Sequence, residues 1–299
     1  MDGDYIMEQF LQQLVNGISI GFVYALIAIG YSLIFSILSF SNFAHGSFIS
    51  MGAYAGFFIL MSLNFPAYVA IIGGMLGGAL MAVIADNAAY RPLREKGSPT
   101  LYFIIAAMGM SIFVDNTVIA TIGPRIRSYP QIFAESTISI GPVTISMMDF
   151  AAALVAAVML IVLTFLINKT KPGMAIRAAS QDLEAVGLMG VNTNVLITAV
   201  FIIAGGLAGL AGFFLGMKYT VYPTLGSSIT NKAYVAAVLG GLGSLPGAVV
   251  GSILLGIFEM MISGYVSSSA RDVFVYLLLI IILVIRPAGL MGKKHEDKV

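Results

Sequence analysis

Residues 9–85 read QFLQQLVNGISIGFVYALIAIGYSLIFSILSFSNFAHGSFISMGAYAGFFILMSLNFPAYVAIIGGMLGGALMAVIA, 77 consecutive residues without an Asp, Glu, Lys or Arg. A helix needs about 20 mostly apolar residues to cross roughly 30 Å of hydrocarbon, and a charge at its centre costs roughly 2.5–3.5 kcal/mol. The run therefore holds three spans, near 10–36, 46–63 and 66–85. Working outward, further charge-free windows fall at 99–120, 149–168, 195–217 and 272–288, with another apolar stretch at 226–264. The whole chain of 299 residues agrees: it is 59% hydrophobic and 10% charged, where a soluble domain carries about a quarter charged residues. The expected fold is all-α, a polytopic transmembrane helix bundle of eight to nine spans forming a single domain over 1–299.

Composition excludes several functions. Without cysteine there are no disulfides, thiolate metal sites or lipidated thiols, and His45 and His295 are too few for a histidine metal cluster. No metal site is expected. A net charge of +1 gives no case for nucleic acid. The first basic residue is Arg91, so the basic start of a cleavable signal peptide is missing and none is expected.

Lys and Arg near span ends set orientation. Arg91, Arg94 and Lys96 in the 86–98 loop, Lys169, Lys171 and Arg177 in the 169–194 loop, and Arg286, Lys293, Lys294 and Lys298 in the tail should be cytoplasmic. Three spans precede Arg91, which puts the amino terminus outside, together with the 121–148 loop bearing Arg125, Arg127 and Glu135. Lys218 also falls outside, so an odd number of crossings must follow it. Gly240, Gly241, Gly243, Pro246 and Gly247 interrupt the 226–264 stretch, which predicts a short or broken helix at 226–243 and a second crossing at about 247–264. Irregular backbone at membrane depth must face protein or a water-filled cavity. An internal repeat is suggested by Gly46, Ser47, Ile49, Ala53 and Tyr54, which recur 180 residues later as Gly226, Ser227, Ile229, Ala233 and Tyr234. The topology would make it inverted; chance in a glycine-rich chain is the other reading.

Groups for chemistry are scarce. There is no HExxH pair, GxSxG elbow or P-loop, and no catalytic residue is assigned. Asp115 and Glu259 are the only acids in or near the spans, neither with a basic partner one helical turn away, while Asp86, Asp149 and Asp272 sit at span ends where a charge can reach water. Energy for transport should come from another protein. Gly73, Gly74, Gly77 and Gly78, and again Gly205, Gly206, Gly209 and Gly212, have the spacing of closely packed helices. In the cytoplasmic loop, 174–186 reads as one amphipathic helix with Ile176, Ala179, Leu183 and Val186 on one face, ended by Gly187 and Gly190. It is either a solvated connector or a helix that docks on a motor subunit.

Arg177 to Gly190 resembles the EAA loop of ABC importer permeases: Glu184 and Ala185 match its first letters and Gly190 follows the glutamate by six, with Val186 departing from the third alanine. Asn16-Gly17, Gly30-Tyr31, Asn42-Phe43-Ala44-His45-Gly46, Arg91-Pro92-Leu93-Arg94, Gly109-Met110-Ser111-Ile112, AAVLGGLGSLPG at 236–247 and Arg286-Pro287-Ala288-Gly289-Leu290 extend the resemblance over almost the full chain, to LivH-type permeases of branched-chain amino acid importers. The resemblance implies a bacterial inner-membrane subunit that pairs with a LivM-type permease, two cytoplasmic ATPases and a periplasmic substrate-binding protein. It implies leucine, isoleucine and valine as substrates and no cofactor of its own, ATP being bound by the partners. Sugar and urea permeases belong to the same superfamily. Arg177, Asp182, Glu184, Ala185 and Gly190 become candidates for coupling to the ATPases. Asn42, His45, Asp115, Asn116 and Tyr234 are candidates for the substrate pathway or, alternatively, interhelical hydrogen-bonding groups. A carboxylate would meet the start of the short helix at 226–233 and an ammonium Asp115, although Asp115 stands where an uncharged polar residue is expected. A self-contained channel or secondary carrier is the competing function.

Overall fold

A computed structural model describes residues 2–130 and 136–292, with the side chains of 2–5 and 140 left aside. Glu135, the three tail lysines and His295 lie outside the described residues. The long helices are α1 (Asp2–Leu38), α2 (His45–Met61), α3 (Ala67–Ala85), α5 (Thr100–Ile122), α6 (Met147–Lys169), α9 (Thr193–Lys218), α10 (Leu225–Gly240), α11 (Leu245–Tyr265) and α12 (Arg271–Ile285). After α3 a π-helical turn, Asp86–Tyr90, leads directly into the short α4 (Arg91–Glu95). The 169–194 loop holds α7 (Lys171–Ala179) and α8 (Leu183–Leu188). By length and composition six helical stretches among the described residues can cross a membrane; α2 is apolar but shorter. Among the described residues the bundle is helical apart from an isolated bridge between Arg127 and Val221 and one hairpin in the 121–148 loop, β1 (Thr137–Ile140) antiparallel to β2 (Val143–Ser146), turning at Gly141 with φ +62°.

Two expectations need correction. The amphipathic stretch at 174–186 is two helices, not one. Asp182 adopts an extended conformation and its carboxylate accepts the Ala185 N–H at 2.9 Å, which starts α8 afresh. Gly187 lies inside α8, and Gly190 follows it with φ +86°. Asp86 is not at water: it is fully buried. The interrupted stretch does form a short helix and a second long one. Gly241 and Gly243, at φ +107° and +81°, make the turn, and the Ser244 hydroxyl caps α11 by accepting from Gly247 N–H at 3.2 Å.

The chain divides into two compact units. The first comprises residues 1–32, 133–156 and 232–299; the second, 33–132 and 157–231. In the second, α3 and α9 cross with backbones in contact: a Cβ on Gly78 would strike the Gly205 carbonyl and the backbone of Gly209. This is why small residues recur there at three- and four-residue spacing. In the first, α1 and α11 cross in the same way, a Cβ on Gly256 striking the Gly17 carbonyl and the backbone of Gly21. A Gln12 side chain completes the hairpin of that unit, donating to Thr144 O at 2.7 Å and accepting from Thr144 N at 2.9 Å.

Candidate functional site

In the second unit the first turns of α2 and α10 meet. Gly46 and Gly226 touch through their backbones, and Ser50 Oγ donates to Pro223 O at 3.2 Å while accepting from Gly226 N–H at 2.9 Å. Around this crossing lie three of the pathway candidates. Asp115, buried on α5, accepts the Ser227 hydroxyl at 2.8 Å on Oδ2, and its Oδ1 has no partner among the described residues. His45 opens α2, fully buried, with its ring edge-on to Phe48 at 5.4 Å. Asn42 is buried too, but its Oδ1 is committed: it accepts the Ala44 N–H at 3.1 Å and the Tyr90 hydroxyl at 2.6 Å, fixing the turn into α2. A carboxylate with a spare oxygen at a helix start can hold a small polar solute or a proton.

The other two candidates lie elsewhere. Asn116 is on an exposed face of α5 and donates to Ile112 O of its own helix at 2.8 Å. Tyr234 belongs to the first unit, where it packs edge-on against Tyr31 at 5.8 Å.

The coupling candidates form one surface in the second unit. Thr170 caps α7, accepting from Gly173 N–H at 3.2 Å, and Lys171 and Pro172 follow in its first turn. Ile176, Ala179 and Val186 turn inward and are buried, matching the apolar face read from the sequence. Arg177 donates to the Ile167 carbonyl at the end of α6 and ties α7 to that helix. Asp182, Glu184, Ala185 and Gly190 are exposed, and between them Leu188 and Met189 are 91% and 88% exposed. Two large apolar side chains held out beside a carboxylate favour burial by another protein.

Two ion-pair networks were missed in sequence. Asp86 pairs with Arg94 at 2.6 Å and accepts from Thr198 Oγ1 at 2.6 Å, so both its oxygens are used; Arg94 reaches on to Asn194 at 3.4 Å. The open groove beside it is lined by Asn87, Arg91, Asn192, Asn194 and Thr198 over Val195, Ala199 and Ile202. In the first unit Glu259, for which no nearby cation was found, has two: Lys232 Nζ at 2.5 Å and Arg271 Nε at 3.0 Å. The partners come from other helices, which local spacing does not reveal. Near the α2 mid-point, Tyr129 donates to Ala53 O at 2.6 Å, and burial pushes its phenol above the ordinary range, keeping it neutral. Among the described residues no three His, Cys, Asp or Glu side chains gather as a metal site.

The family model described as branched-chain amino acid transport system, permease component, matches residues 13–283. The chain is 36% identical to the high-affinity branched-chain amino acid transport system permease protein LivH of Salmonella typhimurium, over 97% of this chain and 98% of that protein. It is 37% identical to the high-affinity branched-chain amino acid transport system permease protein BraD of Pseudomonas aeruginosa, with the same coverage. Among solved structures it is similar to a chain of PsaBC from Streptococcus pneumoniae in complex with Fab, with a TM-score of 0.53 and 15% identity over 96% of this chain and 97% of that one, a likeness of fold alone.

Proposed function

The chain belongs to the permease family of branched-chain amino acid transport systems, and from that premise we propose that it forms the membrane path of an ATP-driven importer of leucine, isoleucine and valine. The observation that carries the coupling half of the reading is the α7–α8 surface, which holds Glu184, Leu188 and Met189 out from the bundle on helices fixed by Thr170, Arg177 and Asp182. Two cytoplasmic ATPases dock there; a LivM-type second permease and a periplasmic binding protein complete the importer.

In this reading α2, α10 and α12 join the six longer helical stretches to give nine crossings. At 1.5 Å per residue the 17, 16 and 15 residues of these three make about 22–26 Å each, short for the bilayer; since the first turns of α2 and α10 meet, those two start within it and run to opposite faces, the non-helical segments before them completing their passages. Nine crossings from an outside amino terminus put the basic loops and tail in the cytoplasm, and Arg271 outside, in line with the positive-inside rule. The substrate carboxylate is met at the start of α10, where the helix dipole favours an anion, and its ammonium by the spare oxygen of Asp115. That spare oxygen also favours a second reading, a self-contained carrier driven by protons.

The test is transport by the assembled importer in proteoliposomes. Glu184→Lys and Gly190→Asp should leave the chain folded and inserted while uncoupling leucine uptake from ATP hydrolysis; normal uptake in both variants overturns the coupling assignment. Proton-dependent uptake by the purified chain alone, removed by Asp115→Asn, would establish the carrier instead.

A further inference from the structure

Glu259 is sealed in the first unit, its side chain without any exposure. Its Oε1 takes both cations, Lys232 and Arg271, and its Oε2 has no partner among the described residues. Lys232 also reaches Asp272 Oδ1 at 3.0 Å. A carboxylate accepts on two oxygens, and one left empty away from water is costly. An ion pair serving packing alone should fill both, as Asp86 does.

Two further features say what would fill it. The four charges sum to zero, so a ligand with a net charge would leave one uncompensated, whereas one that carries both signs can pair with the cations and with the carboxylate. The side chains are also graded in exposure: Asp272 61%, Arg271 25%, Lys232 15%, Glu259 none. The network is open at Asp272 and closed at Glu259. Asp272 is the member that can return to water, and its place on Lys232 suits another carboxylate.

We propose that Lys232, Glu259 and Arg271 form a binding station for the zwitterionic end of an amino acid. The α-carboxylate replaces Asp272 on Lys232 and Arg271, and the α-ammonium donates to Glu259 Oε2. The incoming carboxylate takes the place of the outgoing one and the ammonium adds to a carboxylate oxygen that had no donor; the buried groups and the zwitterion then carry one net positive charge, which Asp272, released to water beside Arg271 in sequence, offsets. Buried charges in spans mark substrate routes. The station is additional to Asp115 and rests on the reading of the chain as an amino acid permease.

The experiment uses the whole importer in proteoliposomes with its binding protein and ATP. Glu259→Gln is expected to lower leucine uptake about tenfold or more, with the elution volume of the purified importer unchanged. The exchange Lys232→Glu with Glu259→Lys keeps a pair but reverses the station, and should not restore uptake. Wild-type-like uptake in Glu259→Gln, or recovery in the exchange, would make the network a clamp and overturn the proposal. Absence of ATP-driven leucine uptake by the wild-type importer would instead overturn the parent reading. A second measurement needs no variant: a diazirine analogue of leucine, photolysed on the wild-type importer, should label α10 or α11 within a turn of Lys232 or Glu259. Free leucine should compete and 4-methylpentanoate, which lacks the ammonium, should not. Labelling elsewhere only, or equal competition by both, contradicts the station.

Discussion

The crossing of α3 with α9 in the second unit and that of α1 with α11 in the first use one backbone device. Gly78 meets the Gly205 carbonyl and Gly209; Gly256 meets the Gly17 carbonyl and Gly21. The spacing of four between the paired glycines is the same, and the crossings are tied by polar bonds near their ends: Thr198 of α9 to Asp86, and Gln9 of α1 to the Gly264 carbonyl at 3.2 Å. A repeat of 46–54 and 226–234 that ran on into these helices would produce such a correspondence. The buried carboxylates differ. Asp86 is satisfied on both oxygens, whereas Glu259 is satisfied on one. Asp86 has spent its charge on packing; Glu259, like Asp115 in the second unit, keeps one oxygen available.

The largest effect should come from breaking the satisfied group. Asp86→Ala strands Arg94 in a buried position and should cost about 3–5 kcal/mol, seen as a sharp drop in melting temperature of the detergent-solubilised protein; a loss below about 1 kcal/mol would make the pair a surface-like one. Next, Gly78→Val and Gly256→Val should each destabilise by about 1–3 kcal/mol or more, and by similar amounts if the two crossings are equivalents. A large effect of one and none of the other separates them. Asp182→Ala removes the cap of α8 and should cost about 1 kcal/mol, small in global melting yet visible as faster amide exchange over 183–188 and weaker coupling of ATP hydrolysis to uptake. Gln9→Ala, losing one neutral hydrogen bond of the α1 crossing, should cost about 0.5–1.5 kcal/mol by the same melting assay.

Hydropathy is a local property, so the long spans and the glycine break at 240–247 were legible in the sequence. The inward face of α7 was legible for the same reason, Ile176 and Ala179 lying within one helix. The hairpin carried a readable signal, isoleucines alternating with Thr and Ser on either side of Gly141-Pro142, and Asp182 three residues before Ala185 had the spacing of an N-cap. The charge networks had no such signal. Lys232 and Glu259 are 27 residues apart, Asp86 and Thr198 are 112, and Asp115 and Ser227 are 112; each pair is joined only by packing of separate helices. His45 and Asp115 were found because a polar residue in an apolar run stands out, while Asn42 shows that such a residue can spend its oxygen on a turn.

The central claim is that the motor is in other chains and docks on α7–α8. The most direct measurement is purification of the tagged chain from its native membrane in mild detergent, with mass spectrometry of what accompanies it. Co-purification of ATP-hydrolysing subunits and a second permease is the expected result. A chain that purifies alone and moves leucine without ATP would contradict the account.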